Sequence, residues 1–195
     1  MNRTFARIVG GAAVTGVGLL AAFTSSASAD DPRASADDPR WATGVVDAEG
    51  GLIAHIAPSV HAQDTYGFPD GEQMTLNCMT KGTSVEGDSE WYLVAAEGEA
   101  KWVSARYVNI VGEEPEYCGS DVTQSVTLAD DAQSYQGPTT SDEPRRAFPA
   151  GSGQEAVCHV TTAPGANEKW VATLEDGWIP ASALTSIDGV PYCQQ

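Results

Sequence analysis

The side chains most capable of chemistry in this chain are four cysteines and three histidines. A cysteine nucleophile needs a thiolate with a base in hydrogen-bond reach. His159 follows Cys158 directly, and neighbouring side chains on a strand point to opposite faces. His55 and His61 lack the His-x-x-x-His or Glu-x-x-His spacing that would predict a zinc site. We therefore interpret the histidines as solvated surface residues and expect no metal, no cofactor and no catalytic site.

Two pairs of carboxylates could in principle act as general acid and base. They are Glu97 with Glu99 and Asp130 with Asp131. Turns collect acidic residues routinely, so we assign both pairs to turns. The protein is expected not to be an enzyme.

The cysteines belong to a sequence repeat, because the second half of the chain resembles the first at an offset of 80 residues. The offset superposes identical residue types, namely Pro58 on Pro138, Phe68 on Phe148, Pro69 on Pro149, Gly71 on Gly151 and Cys78 on Cys158. Cys118 and Cys193 close the two copies. A repeat of this length predicts one small domain duplicated, at residues 43–119 and 120–195. We expect segments 41–119 and 120–195 to unfold cooperatively on their own.

The first 42 residues do not fit the repeat. Arg3 and Arg7 precede an uncharged apolar stretch, and Ala27-Ser28-Ala29 matches an A-x-A cleavage site. Residues 1–29 therefore read as a secretory signal peptide, the alternative being an uncleaved membrane anchor. Residues 30–42 form a flexible acidic leader in which Ala34-Ser35-Ala36 offers a second cleavage site after Ala36. Export would place the cysteines in an oxidising compartment, where they form disulfides.

The mature chain is strongly acidic. Without Arg3 and Arg7 it holds 8 Lys and Arg against 27 Asp and Glu, a formal net charge of −19. This charge repels nucleic acid and anionic lipid, and it would attract cations or basic proteins. It also keeps a secreted protein soluble, which is the simpler interpretation.

The apolar residues occur in short runs separated by turn residues, which indicates β-strands. In the first copy, strands are predicted at residues 44–46, 52–56, 74–80, 91–96, 100–104 and 108–111. In the second copy, they are predicted at residues 125–128, 132–136, 155–161, 170–174, 178–179 and 184–187. Glu97-Gly98-Glu99 and Glu175-Asp176-Gly177 are predicted hairpin turns. Short strands at this spacing suggest that each copy is a small closed barrel.

Several motifs resemble a bacterial SH3 (SH3b) domain. In the first copy they are Ala57-Pro58-Ser59, Phe68-Pro69-Asp70-Gly71, Trp91-Tyr92-Leu93-Val94, Lys101-Trp102-Val103-Ser104 and Tyr107-Val108. The second copy matches through Gly137-Pro138-Thr139, Ala150-Gly151, Trp170-Val171 and Asp176-Gly177-Trp178-Ile179. The sequence departs from the family at its Asn and Arg positions, which are Ile53 and His55 in the first copy and Gln133 and Tyr135 in the second. The resemblance implies two SH3-like barrels in tandem and a tendency to bind peptidoglycan or peptides outside the cell.

A binding face is expected in the first copy, where Tyr66, Phe68, Tyr92 and Tyr107 could line an aromatic groove. The alternative is that the aromatic residues, and the tryptophans above all, are core packing. We expect a secreted, monomeric, non-enzymatic protein that binds cell-wall glycan or peptide. The second hypothesis is an acidic inhibitor or decoy of a basic extracellular protein.

A duplicated domain should keep its disulfide internal, although four cysteines allow three pairings. We predict the bonds Cys78–Cys118 and Cys158–Cys193. Peptide mapping of the secreted protein under non-reducing conditions tests the pairing. A Cys78–Cys158 or Cys78–Cys193 peptide, or free thiols, would contradict the two-module organisation.

Overall fold

The computed structural model describes residues 41–119, 123–162 and 168–193. The predicted signal peptide and nearly all of the predicted leader lie outside these residues. The described residues belong to one compact unit, Ser35–Gln195. They form an all-β structure, as predicted, and include no helix that is long and apolar enough to cross a membrane. We call residues 41–119 the first half and residues 123–193 the second half.

The first half forms one antiparallel sheet of seven strands. Across the sheet the strand order is β3-β2-β6-β5-β4-β1-β7. Its strands are β1 (Ala42–Val46), β2 (Leu52–His55), β3 (Asp64–Phe68), β4 (Gln73–Val85), β5 (Asp88–Ala96), β6 (Glu99–Ser104) and β7 (Val108–Val111). A 3₁₀ helix at Ala105–Tyr107 leads from β6 into β7.

The second half repeats this topology in a sheet of six strands, with the order β10-β9-β13-β12-β11-β8. Its strands are β8 (Gln124–Thr127), β9 (Ala132–Tyr135), β10 (Pro144–Phe148), β11 (Gly153–Thr161), β12 (Lys169–Thr173) and β13 (Gly177–Pro180). A 3₁₀ helix occupies Ala181–Ala183. The equivalent strands follow one another in the same order as in the first half, so the sequence repeat is also a repeat of the fold.

Two strands lie where the sequence pattern predicts connections. Both β3 and β10 are edge strands, and each buries only its last residue, Phe68 or Phe148. An exposed edge strand has little apolar alternation, which is why the pattern does not reveal it. Conversely, the strand predicted at residues 184–187 is reduced to a single bridge between Leu128 and Leu184.

The prediction of closed barrels is wrong as far as strand pairing is concerned. The first sheet has the edges β3 and β7, and the second has the edges β10 and β8. Each sheet ends in strands of four or five residues that pair on one side only. No pairing joins the two edge strands of either sheet among the described residues, so neither sheet closes.

The predicted turn between β5 and β6 is confirmed. Glu97 has φ 53° and Gly98 has φ 80°, and they join the paired residues Ala96 and Glu99. Two consecutive positive φ angles define the type I′ turn, whose twist matches that of the flanking strands. Glycine at the second position adopts this conformation without a Cβ clash.

Both predicted disulfides are present. Cys78 bonds Cys118 with a Cα–Cα distance of 5.0 Å, and Cys158 bonds Cys193 with 4.9 Å. Each bond ties the long central strand of its half, β4 or β11, to the segment that ends that half. The described residues include no free cysteine.

The buried side chains form three clusters, of which one belongs to both halves. The first half has its own cluster around Leu76, Val94 and Val103. The second half has one around Leu128, Val171 and Ile179. The shared cluster contains all four cysteines and Trp91, Trp102, Trp170 and Trp178, each tryptophan at most 1% exposed. The halves therefore pack against each other through equivalent faces.

This shared cluster changes the expectation for the separated halves. Cutting between residues 119 and 120 would expose tryptophans whose removal from a core costs about 3–5 kcal/mol each. One kcal/mol shifts the melting temperature of a domain this small by roughly 4–8 °C. We expect segments 41–119 and 120–195 each to melt at least about 10 °C below the intact chain in calorimetry. Melting of both segments at the temperature of the intact chain would show that the shared cluster adds no stability.

Candidate functional site

The four predicted groove residues do not form one exposed surface. Phe68 and Tyr92 are buried, at 4% and 3% exposure, within the core of the first half. Tyr66 is half-buried and packs edge-on against Phe68, with ring centroids 4.7 Å apart. Tyr107 is also half-buried. Of the four, Tyr107 alone lines the cleft of the first half that is described below.

The hydroxyl of the buried Tyr92 lies beside carboxylates. It donates to Glu114 Oε1 at 3.3 Å. Burial and the charges of Glu114 and Glu90 raise the pKa of Tyr92 well above its ordinary value of 10. Tyr117 donates to Glu90 Oε1 at 2.9 Å, and burial together with Glu90 raises its pKa to about 12. Both phenols therefore act as neutral hydrogen-bond donors at physiological pH.

A cleft of about 310 Å³ opens on the first half, and we call it the first-half cleft. Its apolar lining consists of Leu52, Ile53, Val60, Val85, Trp91 and Tyr107. Leu52 and Trp91 are buried, whereas Ile53 and Val60 are 51% and 44% exposed. Ile53 is exposed because it alternates with the buried Leu52 and Ala54 along β2. Two exposed aliphatic side chains thus lie at the same concave surface, which is typical of a binding site.

His55 gives the cleft a polar group, and its burial corrects the prediction that it is a solvated surface residue. It is 7% exposed, and its ring packs edge-on against Trp91 at 5.5 Å. Its Nδ1 lies 3.1 Å from the Ala62 carbonyl oxygen and 3.1 Å from Asp64 Oδ1. Because both neighbours are acceptors, Nδ1 carries the proton. In the neutral ring Nε2 is then a hydrogen-bond acceptor.

The other two histidines differ from His55. The His61 side chain is 46% exposed, as predicted for a surface residue. His159 is half-buried against Tyr192, with ring centroids 5.0 Å apart, and burial lowers its pKa.

The edge of the first-half cleft is acidic. Glu49 belongs to its lining, and the Asp64 side chain beside His55 is 66% exposed. Glu86, next to Val85, pairs with Arg106, next to Tyr107, at 3.0 Å between Oε2 and the guanidinium nitrogen. Glu49 therefore lines the cleft itself, Asp64 contacts the lining residue His55, and the Glu86–Arg106 pair adjoins lining residues in the sequence.

The second half lacks the side chains that make this cleft apolar. At the repeat offset, Ile53 corresponds to Gln133, Val60 to Thr140 and His55 to Tyr135. Tyr107 corresponds to Ala183, whereas Trp91 is retained as Trp170. The two halves share the tryptophans and cysteines of the shared cluster and differ where the first half has its cleft.

A polar cluster between the halves escapes sequence analysis. Asp142 of the second half has a fully buried side chain, and its Oδ1 accepts hydrogen bonds from three first-half residues. The donors are Ser59 Oγ at 3.1 Å, His61 Nδ1 at 2.9 Å and Thr83 Oγ1. Asp142 corresponds to Ala62 in the repeat, so the only signal in the sequence is a polar residue at an apolar position.

Serine, histidine and aspartate meet in this cluster without the geometry of a hydrolase. Ser59 Oγ donates to Asp142 and accepts the His61 backbone N–H at 3.0 Å. A nucleophilic serine would instead donate to the histidine ring. Among the described residues no group of three or more His, Cys, Asp or Glu side chains could hold a metal ion.

Comparisons with known proteins leave the function open. No protein-family model matches the sequence, and no curated protein matches it. The structure of NlpC2 from Trichomonas vaginalis is 14% identical, covers 75% of this chain and 48% of its own, and gives a TM-score of 0.29. That of NlpC1 from the same organism is 16% identical, covers 76% and 48%, and also gives 0.29. This chain spans about half the length of those proteins, and at such TM-scores the similarity assigns neither fold nor activity.

The burial of Tyr92 predicts the behaviour of its variants. Tyr92→Ala should destabilise the protein by about 3–5 kcal/mol, as expected for loss of a buried aromatic ring. Tyr92→Phe should cost only about 0.5–1.5 kcal/mol at pH 7, the contribution of one hydrogen bond. Denaturant unfolding measures both. A stable Tyr92→Ala variant with impaired binding would instead restore Tyr92 as a contact residue.

The same residue predicts a pH effect. Because the pKa of Tyr92 is raised in the folded state, raising the pH above about 10 ionises the unfolded chain first and lowers the free energy of unfolding. Tyr92→Phe removes this contribution. The variant should therefore lose less stability than the wild type between about pH 9 and pH 11.

Proposed function

We propose that this chain is a secreted, non-enzymatic binding protein of two bacterial SH3-like modules, whose first half binds a short peptide of the cell wall. The ligand occupies the first-half cleft. The second half supports the first, and among its described residues Gln133 and Thr140 replace the exposed aliphatic side chains of the cleft. The protein acts at the cell envelope or in the surrounding medium.

The observation that carries this proposal is the position of Ile53 and Val60. Both are exposed aliphatic side chains at the edge of a cleft that has Trp91 at its base. Exposed apolar side chains scattered singly need no explanation, but two that converge on a concave surface mark a place where a ligand would cover them. Their replacement by Gln133 and Thr140 in the second half fits a site confined to one copy.

The chemistry of the cleft favours a peptide that presents an aliphatic side chain next to a cationic group. The aliphatic group would pack on Ile53 and Val60. The cation would lie near Glu49 and Asp64, where the excess of carboxylates attracts positive charge. His55 Nε2 offers an acceptor for a peptide N–H.

Two further features support the setting. Disulfides persist in oxidising environments, so both bonds indicate an extracellular or similarly oxidising compartment. The common strand order of the two sheets agrees with a duplicated module, as the resemblance to SH3b domains implies. Export by a signal peptide and the SH3b identity of each half are parts of the proposal.

A second candidate function is that of an acidic inhibitor or decoy of a basic extracellular protein. The observation in its favour is the net charge of −19 that remains after signal cleavage. Electrostatic steering of this kind weakens steeply with ionic strength. Binding that depends on apolar contact persists in salt, which separates the two candidates.

Sedimentation with purified peptidoglycan tests the proposal. We expect the wild type to be retained and the double variant Ile53→Ser, Val60→Ser to bind roughly 30-fold more weakly. The reason is that a ligand covering these two exposed aliphatic side chains would gain about 2 kcal/mol of binding free energy. Thermal unfolding should hardly change, since both side chains are exposed in the free protein.

The chain provides a matched control. Leu174 and Val111 are 60% and 53% exposed, and neither lines the cleft. The double variant Leu174→Ser, Val111→Ser should bind like the wild type. An equal loss of peptidoglycan binding in both double variants would show that the first-half cleft is not the binding site. If peptidoglycan does not retain the wild type, and the wild type forms a salt-sensitive complex with a basic protein, the result would favour the inhibitor or decoy.

A further inference from the structure

We propose that Asp142 of the second half is a positioning residue for the first-half cleft, so that ligand binding in one half depends on a side chain of the other. This inference rests on the proposed function of the cleft. Asp142 touches no ligand. It holds the segments of the first half from which the cleft is built.

The first of these segments is the turn that carries Val60. Ser59 and His61 flank Val60 directly, and both donate to Asp142 Oδ1, at 3.1 and 2.9 Å. Ser59 Oγ also accepts the His61 N–H at 3.0 Å. A single carboxylate oxygen therefore fixes the residues on both sides of the exposed valine at the cleft edge.

The second segment is the end of β4. Thr83 Oγ1 donates to the same oxygen, and Val85 lines the cleft two residues later. The Thr83 carbonyl oxygen accepts the indole N–H of Trp91 at 2.9 Å, which orients the base of the cleft. Asp142 thus joins the Val60 turn to the strand end that supports Val85 and Trp91.

The first half cannot supply this contact itself. Its residue at the position of Asp142 is Ala62. In the second half, the equivalent turn forms the same local bond, from the Ser141 N–H to Thr139 Oγ1 at 3.0 Å. The local turn therefore forms in both halves. The first half also ties its turn to β4 by one backbone bond, because the Thr83 N–H donates to the Pro58 carbonyl oxygen at 3.1 Å. Asp142 adds the link between the Ser59 and His61 side chains and the same end of β4.

A carboxylate suits this role. An ionised carboxylate accepts several hydrogen bonds, and charge-assisted bonds are stronger than neutral ones. Gly137 leaves it room, because a Cβ at that position would collide with Asp142 Oδ2 and crowd Thr83 Oγ1. Gly137→Ala thus displaces the Asp142 carboxylate and the Thr83 hydroxyl from each other while it leaves the chemical identity of every donor unchanged.

The test uses the full chain with Asp142→Ala, Asp142→Asn and Gly137→Ala. Asp131→Ala is the control, because Asp131 is another second-half carboxylate with one backbone partner, the Ala150 N–H at 2.8 Å. Two quantities are measured, the affinity for purified peptidoglycan and the hydrogen exchange rate of the His61 amide in the absence of ligand. The Val94 amide in the core serves as the internal reference for global unfolding.

Asp142→Ala and Gly137→Ala should each accelerate His61 exchange by at least roughly tenfold relative to Val94, the effect of losing charge-assisted hydrogen bonds. Their affinity for peptidoglycan should fall by a similar factor. Asp142→Asn keeps an acceptor oxygen, so its affinity and its His61 exchange rate should both lie closer to the wild-type values than those of Asp142→Ala. Asp131→Ala should match the wild type in both measurements.

The two measurements separate this inference from the proposed function. If His61 exchanges faster in Asp142→Ala and Gly137→Ala but the wild type does not bind peptidoglycan, the positioning role is supported and the ligand assignment is overturned. Wild-type exchange at His61 in Asp142→Asn and Gly137→Ala would overturn the positioning role, whatever the affinity. If Asp142→Ala does not fold, those two variants decide the outcome.

Discussion

The packing of four tryptophans around two disulfides is the interaction on which the rest of the structure depends. Each half of this chain has fewer than 80 residues, and a segment of that length buries too little apolar surface for a large core of its own. Trp91, Trp102, Trp170 and Trp178 lie in one cluster with all four cysteines. Because equivalent residues of the two halves build this cluster, each half completes the core of the other.

Burying the same face in both halves confines functional divergence to the remaining surface. The residues that the halves share are mostly in the shared cluster or in turns, such as the Pro-x-Gly turns that follow Phe68 and Phe148. The residues that differ include Ile53 and Val60, which lie at the cleft edge and have polar counterparts in Gln133 and Thr140. The shared core thus fixes the fold of both copies and leaves one of them with a candidate binding surface.

Features set by nearby residues or by the repeat could be predicted from the sequence, and the other features set by distant residues could not. The hairpin at Glu97-Gly98 needs two residues with positive φ, and the cysteine pairing follows from the repeat. The edge strands β3 and β10 give no apolar alternation, and the burial of Tyr92 depends on packing between β5 and its neighbours. The sequence predicts an aromatic groove as the candidate site, but of the four predicted groove residues only Tyr107 lines the cleft. Asp142 contacts His61, which lies 81 residues away in the sequence, and no local sequence pattern predicts this contact.

Directional contacts are what give the shared cluster a single arrangement. Apolar burial is roughly proportional to area and has no preferred direction, so two apolar faces alone could pack in several rotations. Three polar connections between the described residues of the two halves restrict these rotations. The Trp178 indole donates to the Lys81 carbonyl oxygen at 2.7 Å, and the Ser84 N–H donates to Gln136 Oε1 at 3.1 Å. Asp142 makes the third connection, and it is the most demanding, because a buried carboxylate that lost its donors would cost several kcal/mol. Rotation of one half would separate Asp142 from its three donors in the other half, so this contact favours a single orientation of the two halves.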